Sequence, residues 1–259
     1  SDPICPLPPP VVAPSPVSAP RTKKKVGQLA LVAAGPGDPE LLTLRAVSLL
    51  QLADTVVVDA DALAIMGDHV PTETTVTVAV DADGVPLDPA GRAKLAIEAF
   101  RAGHRVVRLM AGDPFLDGTA ALESAALRRA RVPFEVAPGV STLTGTAAYA
   151  GFGLTEKNAG QVHVVTDTEA TIDWSSLASD GVTVVFPDAA DRAGDIAQQL
   201  IEAGRKASTP VVITRGGTTV EQRSIRSTLA DLPAAIKLAK QAGPGMVVIG
   251  DVVNQRDRM

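Results

Sequence analysis

The sequence predicts an α/β fold in which parallel strands alternate with helices. From Gln28 onward, short runs of β-branched residues are separated by longer segments that are rich in alanine and leucine. The short runs are continuously apolar, which is typical of parallel strands covered by helices on both faces. The chain has 259 residues, 46% of them hydrophobic, so it can bury one large core or two smaller ones.

In the first half, strands are predicted over residues 29–33, 55–58, 74–80, 105–109 and 134–136, and helices over 39–52, 89–102 and 119–130. A further helix should follow Pro138 and Gly139. Asp38 before Pro39 has the pattern of a helix N-cap followed by proline in the first turn. Because Asp113-Pro114 repeats this pattern, the sequence predicts that a helix begins there as well.

In the second half, strands are predicted over 162–166, 182–186, 211–214, 224–228 and 246–249, and helices over 189–203 and 232–242. Residues 217–223 are polar and should connect two strands. We therefore expect an N-terminal α/β domain over 27–157 and a C-terminal α/β domain over 158–254. Residues 1–26 are rich in proline, which fixes φ and removes backbone donors, so they are predicted to form a disordered arm.

Composition excludes several classes of function. The sequence has no apolar run of about 18 residues, so it predicts no transmembrane helix, and its net charge of −5 does not favour nucleic acid as a partner. The single cysteine, Cys5, predicts neither an internal disulfide nor a cysteine metal site, and it suits a cytoplasmic location. His69, His104 and His163 lack metal-ligand spacing, so no metal is expected.

Glycine-bearing turns follow three strands of the first half, where open α/β sheets bind their ligands. These turns are Gly35-Pro36-Gly37-Asp38-Pro39, Ala111-Gly112-Asp113-Pro114 and Pro138-Gly139-Val140-Ser141-Thr142. Glycine lets a ligand approach the backbone closely, although well-formed strand-to-helix turns would need the same residues. The first turn lacks the third glycine of a dinucleotide fingerprint, and the chain has no Gly-Lys-Ser/Thr triphosphate loop.

Several long motifs, in order from Gln28 to Val253, resemble the tetrapyrrole methylases, and among them the uroporphyrinogen-III C-methyltransferases. The resemblance rests on residues 32–44, on 105–109 with 112–115, on 133–140 with 148–151, and on 209–211 with 217–219 and 222–223. It implies two αβα domains with S-adenosylmethionine in the cleft between them, S-adenosylhomocysteine as product, and a homodimer. The implied reaction is the double C-methylation of uroporphyrinogen III to precorrin-2, on the path to sirohaem or cobalamin.

Carried over position by position, the resemblance implies that Asp59 is the catalytic base. It also implies that the cofactor contacts Pro36, Ala111, Gly112, Asp113, Leu116, Ser141, Thr142, Asp188 and Gly217. Small residues suit a bound nucleoside, and the Asp113 carboxylate suits a hydrogen bond from a ribose hydroxyl or an ammonium group.

The chain departs from the family where the substrate's carboxylates would bind. The family's lysine acid is missing at Ala79-Val80-Asp81, and basic residues are replaced by Ala60 and Met110. The remaining candidates for carboxylate contacts, most of them expected on the solvated surface, are Arg45, Arg92, Lys94, Arg108 and Arg215. Two alternatives therefore stay open. One is a degenerate domain that binds or scaffolds and that could belong to a fusion with another enzyme of tetrapyrrole synthesis. The other is a methyltransferase with a different, less acidic acceptor.

Overall fold

The computed structural model describes residues 27–168, 170–240 and 243–258, which form two separate five-stranded sheets. The first sheet is built from strands between Gln28 and Ala137, and the second from strands between Gln161 and Ile249. The arm predicted for residues 1–26 lies outside the described residues. The boundary predicted at 157/158 falls between the two sheets and remains a prediction.

The first sheet is fully parallel, with the strand order β3-β2-β4-β1-β5. Its strands are β1 (Gln28–Ala33), β2 (Thr55–Val58), β3 (Thr75–Val78), β4 (Arg105–Met110) and β5 (Glu135–Ala137). The three central strands are almost wholly buried, whereas the edge strand β3 is partly exposed. The continuous apolar runs therefore correspond to strands covered on both faces, as the sequence predicts.

Helices cover both faces of the first sheet. They are α1 (Leu44–Gln51), α2 (Leu63–Met66), α3 (Pro89–Arg101) and α4 (Thr119–Arg129). Leu50 of α1 packs in one core with Val56 and Val58, and Leu127 of α4 packs in another core with Val57 on the opposite face. Residues 56 and 58 point away from residue 57 because side chains alternate along a strand. The first half is thus an αβα sandwich.

Two predicted helix starts differ in the structure. Asp38 does act as a cap, since its Oδ1 accepts the Glu40 amide at 2.9 Å, but it begins only a 3-10 turn over Pro39–Leu41. Helix α1 starts anew after Thr43, whose hydroxyl accepts the Ala46 amide. The prediction of a helix at Asp113-Pro114 is wrong. That segment forms turns, and α4 begins only after Gly118, whose φ of +83° sets the chain direction.

The second sheet is mixed, with the order β6-β7-β10-β8-β9. Its strands are β6 (Gln161–Val164), β7 (Val182–Phe186), β8 (Pro210–Arg215), β9 (Arg223–Thr228) and β10 (Met246–Ile249). Strands β6 and β7 are parallel, whereas β10 runs antiparallel to both of its neighbours, and β8 and β9 form a hairpin. The polar segment predicted over 217–223 forms the hairpin connection, except that Arg223 is already the first residue of β9.

A helix from the first half of the chain packs on the second sheet. Helix α5 (Thr142–Tyr149) follows β5, yet its Leu143 and Ala147 lie in one core with Val212 and Val248. The opposite face is covered by α6 (Trp174–Leu177), α7 (Ala193–Glu202) and α8 (Leu232–Ala239). Because α5 starts at the third glycine turn and packs on the second sheet, that turn lies next to the second half of the chain. No helix in the described part is long and apolar enough to span a bilayer.

Candidate cofactor and active site

The first two glycine turns lie side by side at the carboxyl edge of the first sheet. Strands β1 and β4 are neighbours, and their ladder continues beyond both strands: the Ala34 amide donates to the Met110 carbonyl at 2.8 Å, and the Gly35 amide donates to the Gly112 carbonyl at 3.2 Å. Gly112 has a φ of +63°, a conformation that glycine adopts without strain. The two turns therefore present closely spaced backbone with no side chain at Gly35 or Gly112.

The third glycine turn closes against the first two. A Cβ on Gly139 would lie 3.1 Å from the Ala33 Cβ, and a Cβ on Gly112 would lie 3.5 Å from the Thr142 Oγ1. That hydroxyl oxygen is buried and has no hydrogen-bond partner among the residues that the structure describes. Buried polar atoms are rarely left unpaired. The Thr142 hydroxyl is therefore a free hydrogen-bonding group beside the bare backbone of Gly112.

The hairpin connection of the second half touches the first glycine turn and α5. A Cβ on Gly37 would lie 3.0 Å from the Gly217 carbonyl oxygen, and a Cβ on Gly217 would lie 2.5 Å from the Thr146 Oγ1. The Asp38 amide also donates to the Thr218 Oγ1 at 3.0 Å. Thr218 is buried and has a φ of +68°, an uncommon conformation for a β-branched residue.

Four residues join the two halves of the chain, and we call them the Tyr149 clasp: Asp38, Tyr149, Thr218 and Gln222. The Tyr149 hydroxyl donates to the Asp38 Oδ2 at 2.8 Å, and the Gln222 Nε2 donates to the Tyr149 carbonyl. The Gln222 Oε1 in turn accepts the Thr218 amide at 2.8 Å. The hydrogen bond to Asp38 raises the pKa of the Tyr149 hydroxyl. The family resemblance includes Tyr149 and Gln222 but implies no role for either residue.

Four other predicted cofactor residues have distinct surroundings. Pro36 packs against α5, because a Cβ on Gly145 would lie 3.0 Å from its Cγ. Asp113 is half-buried, and no described residue donates a hydrogen bond to its carboxylate. Asp188 is exposed and its Oδ1 accepts the Gly245 amide at 3.2 Å. Leu116, also half-buried, packs against the core that contains α5.

Asp59, the predicted base, is contacted by residues of the first half of the chain. It follows β2, and its side chain is 16% exposed. Its Oδ1 accepts the Arg108 Nη2 at 2.6 Å and lies 3.9 Å from the Arg92 Nη1, and its Oδ2 accepts the Ala111 amide at 3.0 Å. The predicted base is thereby tied to the second glycine turn.

Most of the cations proposed for substrate carboxylates contact acids of this chain instead. Arg45 pairs with Glu135, and Arg215 pairs with Asp191 at 3.1 Å. Arg108 differs from the expectation of a solvated side chain, because it is fully buried against Glu123 and Asp59. Lys94 is exposed. Four of the five candidates, Arg45, Arg92, Arg108 and Arg215, thus lie in ion pairs.

The arrangement fits a nucleoside better than a metal ion. The three glycine turns offer backbone without side chains at Gly35 and Gly112, a buried unpartnered hydroxyl at Thr142 and a half-buried carboxylate at Asp113, which are groups that bind ribose and amino functions. Within residues 27–168, 170–240 and 243–258, no three His, Cys, Asp or Glu side chains are grouped to hold a metal. The assignment of individual cofactor contacts remains a prediction.

Comparison with known proteins identifies the family. The model of the tetrapyrrole (corrin/porphyrin) methylases matches residues 28–233. Siroheme synthase 2 of Aeromonas hydrophila is 39% identical over 248 residues, and siroheme synthase of Azotobacter vinelandii is 37% identical over 244 residues. These matches cover 92% and 91% of this chain but 52% of each relative. The chain therefore spans about half the length of the curated relatives it matches.

Solved structures agree with this assignment. The uroporphyrin-III C-methyltransferase of Thermus thermophilus, complexed with S-adenosylhomocysteine, superposes with a TM-score of 0.73 at 29% identity, covering 88% of this chain and 99% of that one. A cobalt precorrin-4 methyltransferase shares the fold, with a TM-score of 0.77 at 24% identity over 87% of this chain and 95% of that one. The predicted family, fold class, enzyme class and cofactor are thereby confirmed. The chain belongs to the tetrapyrrole (corrin/porphyrin) methylases, a family of S-adenosylmethionine-dependent methyltransferases.

Proposed function

We propose that this chain binds S-adenosylmethionine at its three glycine turns and methylates ring carbons of uroporphyrinogen III, giving precorrin-2. The observation that carries the proposal is the convergence of these turns around the unpartnered Thr142 hydroxyl, with Gly217 of the second half close by. The named relatives act in sirohaem synthesis or on uroporphyrin III, which supports the acceptor. A homodimer and a cytoplasmic location belong to the same proposal.

When bound, S-adenosylmethionine supplies a methyl group on a sulfonium that is already a good leaving group. The protein's work is then to position the two reactants in line, to exclude water and to receive a proton. The close backbone at Gly35 and Gly112 holds the cofactor, and the Asp113 carboxylate accepts hydrogen bonds from its hydroxyl or ammonium groups. Asp59 accepts the proton that the acceptor loses when its ring carbon forms the new bond to the methyl group.

A direct experiment has two stages. Calorimetric titration with S-adenosylhomocysteine tests the cofactor site, and saturable one-to-one binding per chain is the expected result. Incubation with S-adenosylmethionine and uroporphyrinogen III, followed by mass spectrometry, should then show a product with two added methyl groups. An absence of binding would contradict the cofactor site, and binding without methyl transfer would contradict the acceptor.

A second candidate is favoured by the charges. A substrate with eight carboxylates needs opposing cations, because unpaired buried charge is costly, yet Arg45, Arg92, Arg108 and Arg215 already contact acids of the chain. On this candidate the chain binds the cofactor but acts on a less acidic acceptor, or it binds without turnover as part of a larger protein. Methylation of uroporphyrinogen III at a rate typical of these enzymes would exclude it, whereas turnover only with less acidic tetrapyrroles would support it.

A further inference from the structure

A buried ion pair lies beneath the carboxyl edge of the first sheet. The side chains of Arg108 on β4 and Glu123 on α4 are 0% and 1% exposed. They meet through two hydrogen bonds, Nε to Oε2 and Nη2 to Oε1, both 2.8 Å long, and the Arg108 Nη1 donates to the Leu109 carbonyl at 2.7 Å. Replacing such a buried pair with apolar residues is often neutral or stabilising. Stability alone is therefore a weak reason for this pair.

The pair leads to the predicted base. The Arg108 Nη2 also donates to the Asp59 Oδ1 at 2.6 Å, and the other oxygen of Asp59 accepts the Ala111 amide at 3.0 Å. A continuous series of charge-assisted hydrogen bonds thus runs from Glu123 through Arg108 and Asp59 to the backbone of the second glycine turn. Such bonds are shorter and stronger than neutral ones, so they fix both ends of the series.

Each member depends on the one before it. The Asp59 carboxylate can rotate about its terminal torsion, which is broad for aspartate, unless a partner fixes both of its oxygens. Arg108 fixes one oxygen and is itself held by Glu123. Burial raises the pKa of the Glu123 carboxyl, and the hydrogen bonds from Arg108 oppose that rise. The two buried residues are thus mutually dependent, and neither contacts a glycine turn through its own side chain.

We infer that Arg108 is a positioning residue, held by Glu123, that orients the Asp59 carboxylate and through it the Ala111-Gly112 turn. The orientation of Asp59 by Arg108 is argued from their contacts alone, whereas its consequence for cofactor binding rests on the proposed function. This role differs from the contact with a substrate carboxylate for which Arg108 was a candidate. Arg108 binds no substrate carboxylate but fixes the position of the predicted base relative to the second glycine turn.

The decisive variant removes both buried charges together. Arg108→Met/Glu123→Met leaves no unpaired buried charge, so the domain is expected to fold, while Asp59 loses its hydrogen bond from Arg108 and keeps, as a cationic partner, only the more distant Arg92, 3.9 Å away. Arg105→Met is the matched control, because Arg105 lies on the same strand and pairs with Asp54, but its side chain is 48% exposed. Two measurements follow: amide hydrogen exchange at Ala111, and the Kd for S-adenosylhomocysteine.

Loss of a charge-assisted hydrogen bond corresponds to about a tenfold change or more in an equilibrium constant. The double variant should therefore exchange the Ala111 amide about tenfold faster and bind S-adenosylhomocysteine about tenfold more weakly, and Arg105→Met should change neither. Should the double variant fail to fold, Arg108→Lys, which keeps a cation beside Glu123 but lacks the planar fork that reaches both carboxylates, should give the same faster exchange at Ala111.

The proposed function and the positioning role of Arg108 can be contradicted by different results. If the wild-type chain binds no S-adenosylhomocysteine, the proposed function is wrong, and Ala111 exchange still decides the positioning role. Unchanged exchange at Ala111 in a folded double variant, or in Arg108→Lys, would overturn that role. Faster exchange with an unchanged Kd would show that Asp59 is positioned but that the turn is not part of the cofactor site, which overturns the functional half of the inference.

Discussion

Gly217→Ala should weaken the contact between the two halves of the chain. The added Cβ would lie 2.5 Å from the Oγ1, 2.6 Å from the Cγ2 and 3.0 Å from the Cβ of Thr146. Rotation of the Thr146 side chain can move its two γ atoms but not its Cβ. Because Thr146 is 2% exposed and lies on α5, the clash must be relieved by a backbone shift. Overpacking of this kind costs about 1–3 kcal/mol.

Denaturant unfolding followed by Trp174 fluorescence measures this loss. Trp174 is the only tryptophan of the chain and stacks on Phe186 in the second half, with ring centroids 6.2 Å apart. Gly160→Ala is the matched control, because a Cβ there meets nothing within 4 Å; its effect should stay within about 0.5 kcal/mol. Thr146→Ala should recover part of the loss in the double variant, since residues in contact are coupled. A Gly217→Ala protein as stable as the wild type would refute the reasoning.

Three further predictions concern the site and the cores. Gly112→Ala should lower the free energy of unfolding by about 1 kcal/mol, because φ is +63°. It should also weaken S-adenosylhomocysteine binding in calorimetry. Gly118→Ala, with a φ of +83° in open space, is the control and should lower the stability to the same extent without changing binding. Ultraviolet titration of Tyr149, the only tyrosine, should give a pKa above 10.0, and Asp38→Ala should lower it. Since the folded-state pKa is raised, the clasp's contribution to stability is complete below pH 10 and is lost as pH rises through the folded-state pKa. Leu200→Ala, at a fully buried position of α7, should cost about 2–5 kcal/mol in the same fluorescence assay, and a loss below 1 kcal/mol would contradict this packing.

The strands could be predicted from sequence because their boundaries are local. Thr55–Val58, Val182–Phe186 and Met246–Ile249 have the bounds that their apolar runs predict. Strand direction in the second sheet is not local: β10 lies between β7 and β8 and antiparallel to both, and this follows from how the chain packs. The helix predicted at Asp113-Pro114 is wrong because left-handed Gly118 determines where α4 starts.

The parts of the site that lie at strand ends could be predicted from sequence. The contacts between the first and second halves of the chain could not. The carboxyl ends of parallel strands share one edge of a sheet, so the glycine turns after three strands could be predicted as a ligand site. The contacts of Thr218 and Tyr149 join residues 180 and 111 positions from Asp38, which local patterns do not encode. The buried pair did leave a signal. Arg108 interrupts an apolar strand, and Glu123 lies at helical spacing between the buried residues Ala120 and Leu127.

The five candidate cations differ in burial, and burial determines whether each can bind a carboxylate of the acceptor. Exposed ion pairs are worth about 0–1 kcal/mol, so an incoming carboxylate can replace Glu135, 47% exposed, as the partner of Arg45, 59% exposed, at little cost. The Arg215 side chain is only 9% exposed, although its partner Asp191 is 65% exposed. Arg108 cannot exchange partners in this way, because removing it from Glu123 would leave a buried unpaired carboxylate. Among the five candidates, Arg45 and Lys94 are therefore the most accessible to an acceptor carboxylate, a small set of cations for an eightfold acid.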